Sequence, residues 1–180
     1  KQLLGEALTL RALHYIDLIN MWGDVPARLT SLNADNMYSG REDRDVIYKQ
    51  LIIDLQEAQD LCAWPNEIDA TKTVERVNKV FVKGLLARVC LQASGYAQHL
   101  DGENRLSTDP ELSKARLYPI ALQACKDVME QEGTYVALKS NFEDIFNNNG
   151  IPGDVINAGS ESLFEIGYSN NPARGRIMYT

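Results

Sequence analysis

Two histidines, three cysteines and six prolines are all that 180 residues contain of those types, and acidic residues outnumber basic ones by 25 to 18. Each shortage excludes something. His14 and His99 stand alone, with no serine or cysteine placed by a nucleophile motif, so no catalytic triad can be assembled. Cys62, Cys90 and Cys125 are odd in number and lack C-x-x-C spacing; each falls at an apolar position of a predicted helix and is expected to be a small core residue. A formal charge of -7 leaves no broad basic face to track phosphates, which excludes nucleic acid as a partner. No run approaches the roughly 20 apolar residues of a membrane-spanning helix, because Glu6, Arg11, Asp17, Lys79, Lys83 and Arg88 interrupt every candidate. With 44% hydrophobic and 24% charged residues, the composition is globular, neither disordered nor collagen-like.

What is present is a helical period near 3.6. It predicts a helix from Leu3 to Trp22, stopped by Gly23 and Pro26, and a second from Asp45 to Cys62 with Ile47, Leu51, Leu55, Ala58 and Cys62 in one stripe. A third, from Val74 to Gln98, is apolar around most of its circumference, with Gly84, Ala87 and Ala93 allowing close neighbours. The fourth spans Ala115 to Glu132 and groups Tyr118, Ala121, Leu122, Cys125, Val128 and Met129; Pro119 suits only a first turn, so the helix proper is placed from Tyr118, and Gly133 ends it. The first and third helices are offset by about 72 residues and the second and fourth by about 70, roughly twice a tetratricopeptide period. The fold class expected is therefore mostly α: tetratricopeptide-like helical hairpins with long loops and a short C-terminal strand region, Leu163 to Tyr168. Residues 1–180 read as a single segment, a helical scaffold over 1–133 and a loop-rich region over 134–180. The start inside a helix, without a signal-peptide pattern, leads us to expect an internal piece of a longer protein.

Five blocks carry a resemblance. Glu6-Ala7-x-x-Leu10-Arg11-Ala12-x-x-Tyr15-x-Asp17-Leu18 closes on Trp22-Gly23-Asp24-Val25-Pro26; Val46-x-Tyr48-x-x-Leu51-Ile52-x-Asp54-Leu55-x-x-Ala58 follows. Then come Val77-Asn78-Lys79 leading into Leu85-Leu86-Ala87-Arg88-Val89-Cys90-Leu91, Gly133-Thr134-Tyr135-x-x-Leu138 with Phe142-x-x-Ile145-Phe146, and Glu161-Ser162-Leu163-Phe164-Glu165-Ile166. In this order they resemble the SusD/RagB family of outer-membrane nutrient-binding lipoproteins, with Cys90 departing from a frequent aromatic. The resemblance implies a helical scaffold presenting loops to an oligosaccharide, without catalysis. It also implies a SusC-like TonB-dependent transporter as partner and a place at the cell surface, held by a lipid anchor outside this chain.

Sugar recognition needs flat apolar platforms for pyranose C–H faces and planar amides or charges for hydroxyls. Tyr168, Asn170, Asn171 and Arg174 after the expected strand, with Trp64 and Tyr96 beside helix ends, are the candidate ligand-binding residues; Tyr38 and Tyr179 are further loop aromatics. Against that, Tyr168 can simply close the core edge, and Trp64 beside Pro65 can be a packing cap. The Trp22 to Pro26 motif is expected to build a turn. Arg11 and Arg88 are expected to pair with Asp17, Asp54 or Glu57. Asp43, Asp45, Glu57 and Asp60 look like solvated helix faces rather than a glycosidase pair. No cofactor and no metal are expected, since the Asn147 to Asp154 loop misses the calcium-loop register. Two alternatives stay open: a tetratricopeptide-like protein-binding scaffold, and a helical glycan-processing enzyme.

Overall fold

The computed structural model describes residues 1–143 and 157–166. Its main elements are four helices: α1 (Gln2–Trp22), α2 (Arg44–Leu61), α3 (Lys79–Ala93) and α4 (Lys114–Met129). A two-stranded antiparallel hairpin, β1 (Ala97–Gln98) and β2 (Asn104–Arg105), follows α3. Gly5, Thr9, Ala12, Ile16 and Ile19 form the buried seam of α1. Ile47, Leu51, Leu55 and Ala58 form that of α2, and the two seams alternate by three and four residues as antiparallel packing requires. Next comes α3, buried around most of its surface between α2 and α4.

The ends fix the up-and-down order. Gln2 donates to the Val77 carbonyl at 2.8 Å and accepts from the Ala63 amide at 2.9 Å, tying the start of α1 to the α2–α3 connection. Lys83, early in α3, pairs with Asp127, late in α4, at 2.6 Å and also donates to Gln59. Within the first hairpin Arg11 bonds Asp54 at 2.8 Å, the ion pair expected for it, while Arg88 is exposed on α3 and forms no ion pair among the described residues.

Several expected details are corrected. The third helix starts five residues later than predicted, at Lys79, because the buried Asn78 caps it: its side-chain oxygen accepts the Phe81 amide at 3.1 Å. It stops at Ala93, where the Ser94 hydroxyl turns back to the Cys90 carbonyl. In α4, Pro119 lies inside the helix rather than in its first turn, since the helix starts at Lys114. The buried column of α4 is Leu117, Ala121 and Ala124, so Tyr118, Leu122, Cys125 and Met129 face outward. Cys125 is therefore not a core residue. Cys62 and Cys90 are, and burial pushes both thiols up to about 11, making them poor nucleophiles at neutral pH.

The expected strand over 163–168 is also revised: residues 163–166 form no strand ladder, and 167–168 lie outside the described residues. They are held by single contacts instead. The Glu165 amide donates to the Val74 carbonyl at 2.9 Å, Asn78 donates to the Leu163 carbonyl at 3.1 Å, and Phe164 stacks on Phe81 at 4.4 Å. Gly84 faces this segment: a Cβ there would meet the Leu163 side chain at 3.4 Å, ordinary van der Waals contact.

Candidate functional site

One end of the scaffold gathers the C-terminus of α1, the N-terminus of α2 and the C-terminus of α3. The turn that leaves α1 is built as its sequence suggests. Gly23 takes φ 74°, a left-handed conformation, and its amide closes on the Ile19 carbonyl at 2.8 Å. The buried Asp24 carboxylate accepts from both the Arg44 amide (3.0 Å) and the Arg44 guanidinium (2.9 Å), joining the turn to the start of α2. Arg44 then reaches the Gln98 carbonyl in β1, and Gln92 on α3 reaches Asn20 on α1 at 3.5 Å.

Two aromatic rings stand out from this end, and a third from the loop that joins α1 to α2. Trp22 is 66% exposed, Tyr96 71% and Tyr38 92%, which is what a stacking platform needs and a core residue avoids. The loop bearing Tyr38 is tied down rather than loose. The Arg28 amide donates to the Tyr15 hydroxyl, the Arg28 guanidinium to the Met37 carbonyl, and Asn33 and Asn36 cap the turn between them. Amides of Asn20, Gln92 and Gln98 border the same end.

Trp64 sits at the opposite end. It stacks on Tyr135 with ring centroids 5.3 Å apart, and the Lys79 ammonium lies 5.3 Å from its ring centre. The fifteen residues of α3 separate Lys79 from the segment carrying Tyr96, roughly 22 Å at 1.5 Å per residue. Trp64 and Tyr96 therefore cannot contact one small sugar together. Tyr168, Asn170, Asn171 and Arg174 lie outside the described residues.

Among acidic groups, Glu57 and Asp60 are exposed as expected, but Asp43 and Asp45 are half-buried because the β1–β2 hairpin packs over them. Asp43 caps α2 by accepting the Asp45 amide at 2.9 Å. Burial raises the Asp45 carboxyl above its ordinary range, and the Ser107 hydroxyl opposes that rise.

A family model described as SusD-like, starch-binding and associating with the outer membrane matches residues 1–91. The chain belongs to the SusD-like family. Two solved structures share its fold: a SusD homolog from Bacteroides thetaiotaomicron (TM-score 0.70, 20% identity over 92% of this chain) and a SusD superfamily protein from Bacteroides fragilis (TM-score 0.64, 21% identity over 94%). The chain spans 28% and 30% of those two proteins. Among curated proteins none matches the sequence.

The SusD-like motifs are mostly scaffold in this chain. Arg11 and Asp54 form one ion pair across the first hairpin, and Glu6 holds the Arg76 guanidinium at 2.9 Å. Asn78 caps α3 and holds the segment at 163. Sequence inspection missed Trp22 as an exposed ring. Its helical phase puts it beside the core stripe, and only the break at Gly23 turns it outward.

Proposed function

We propose that this chain forms the helical scaffold and one binding edge of a non-catalytic glycan-binding protein at the outer-membrane surface. The full-length protein is held by a lipid anchor outside this chain and passes oligosaccharide to a SusC-like TonB-dependent transporter. The observation that carries the binding edge is the exposed pair Trp22 and Tyr96 on elements fixed by the Asp24–Arg44–Gln98 chain of contacts, with Tyr38 on the loop tied down by Arg28. Such rings stack on pyranose faces, the bordering amides serve hydroxyls, and a pre-ordered edge avoids the entropy of immobilising side chains on binding. Trp64 with Tyr135, and Tyr168 to Arg174, are secondary candidates for a polymer long enough to touch both ends.

Native affinity electrophoresis of the full-length protein through gels containing plant, host and microbial polysaccharides tests this. One polysaccharide is expected to retard it, and Trp22→Ala or Tyr96→Ala is expected to weaken binding about three- to tenfold, the worth of one stacked ring. Retardation untouched by both substitutions, but lost with Trp64→Ala or Tyr168→Ala, would move the site. A second reading, a protein-binding scaffold, draws on the outward stripe Tyr118, Leu122 and Met129 of α4. Absence of retardation by every polysaccharide would favour it.

A further inference from the structure

His99 is 4% exposed, and neither ring nitrogen has a hydrogen-bond partner among the described residues. Buried imidazoles normally satisfy both, so this one demands an explanation. It faces the two half-buried carboxylates at the start of α2: one ligand atom each from Asp43, Asp45 and His99 lie within 4.8 Å of one another. The His99 Nδ1 to Asp43 Oδ2 distance is 3.5 Å. Ligands on a tetrahedral zinc with bonds of about 2.0–2.2 Å sit roughly 3.3–3.5 Å apart, so this edge is already at coordination length.

We propose that Asp43, Asp45 and His99 bind a divalent transition-metal ion of the zinc class, with water completing the site. One imidazole and two carboxylates form a mixed nitrogen and oxygen set that suits zinc better than calcium, which takes oxygen alone. The carboxylates are already oriented. Asp43 spends one oxygen on the Asp45 amide, and Asp45 spends one on the Ser107 hydroxyl at 2.5 Å, the pattern of outer partners that steers metal-bound carboxylates. The charges nearby leave the site negative. Arg44 is occupied by Asp24, and Arg105 by Asp101 at 2.7 Å, so the two carboxylates are not neutralised by a dedicated cation and offset the positive end of α2. The ion would pin the β1–β2 hairpin, through His99, to the first turn of α2.

The test is titration calorimetry of the chelator-stripped full-length protein with zinc chloride and, separately, calcium chloride. Variants are His99→Ala and the shape-preserving Asp45→Asn, with circular dichroism to verify the fold. His14→Ala, on the exposed face of α1, serves as control. Zinc binding near one equivalent, weakened at least tenfold by Asp45→Asn and by His99→Ala but not by His14→Ala, is expected. Zinc should also slow amide exchange across residues 97–105. No zinc binding up to 100-fold molar excess, or binding indifferent to both site variants, would overturn the proposal; so would calcium binding that survives His99→Ala.

Discussion

Gly5 is a point of close approach between α1 and the end of α2, and replacing it measures how tightly the first hairpin is built. A Cβ added at Gly5 would lie 2.5 Å from the Cys62 Sγ, 3.1 Å from the Leu61 Cβ and 3.4 Å from the Ala58 carbonyl oxygen. Cys62 is 2% exposed, so its sulfur cannot swing out into solvent without leaving the core. Two effects oppose each other in Gly5→Ala. Helix propensity favours alanine by about 1 kcal/mol in a helix interior, and by roughly half that so near the first turn. Overpacking a filled interface costs about 1–3 kcal/mol. The clash wins, and the net destabilisation is about 1–2 kcal/mol. In a Cys62→Ala background the nearest atom is gone and the new methyl fills the space it left, so the same substitution should become nearly neutral. Hydrogen exchange of α1 and α2 amides in the full-length protein reads this locally: Gly5→Ala should speed exchange about tenfold, since about 1.4 kcal/mol is one decade. Unchanged or slower exchange in Gly5→Ala, or an equal penalty with and without the Cys62 side chain, would refute the close approach.

The Arg11–Asp54 pair predicts an asymmetry. Asp54 is almost fully buried and its remaining partner is Gln50, so Arg11→Leu strands a carboxylate and should cost about 3 kcal/mol, whereas Asp54→Asn, which leaves Arg11 a third exposed, should cost less; urea midpoints with matched m-values would decide it. The Lys83 ammonium holds the Asp127 carboxyl below the usual carboxylate range. A folded pKa below the unfolded one gives stability that is fully present above the unfolded value near 3.9 and is lost as pH falls through the folded pKa. Asp127→Asn should therefore lower stability at pH 7 by about 1–2 kcal/mol, discounted for its partial exposure, and flatten the acid limb below about pH 4. An acid limb of unchanged slope in the variant would show that the pair carries none of it.

Much of the scaffold is legible in sequence because periodicity and breakers agree. In α1 the helix and the Gly23-Asp24 turn are written locally and appear where expected, but the buried seam of Gly5, Thr9, Ala12, Ile16 and Ile19 is not the stripe of large apolar residues, since Leu4 and Trp22 are exposed and Glu6 is buried. The errors fall where a distant contact overrides a local pattern. Val74 and Val77 are apolar at helical spacing, yet Val74 gives its carbonyl to Glu165 and Asn78 divides its side chain between capping α3 and holding Leu163, 85 residues away in the chain. Leu163 to Ile166 are mostly apolar as a buried strand is, but the surface they meet is the start of α3 and the connection before it, which offers the Phe81 ring and the Val74 carbonyl rather than a ladder. The column of α4 was misjudged for a similar reason: only the position of α3 decides that Leu117, Ala121 and Ala124 face inward.

The candidate site was harder to see, and Trp22 shows why. Within α1 the residues at 12, 16 and 19 set the phase of the buried face, and a residue three beyond Ile19 continues it by periodicity alone. Gly23 ends the helix one residue later, so α2, which begins only at Arg44, has no turn opposite Trp22 to cover it. The same termination that closes the Gly23 amide on the Ile19 carbonyl thus leaves a large ring uncovered by the described residues. Tyr96 arises in the same way, three residues beyond the end of α3. Helix ends that stop short of their neighbours produce exposed aromatics on rigid supports, and a surface for sugars requires both properties at once: an uncovered ring face and a backbone already fixed behind it.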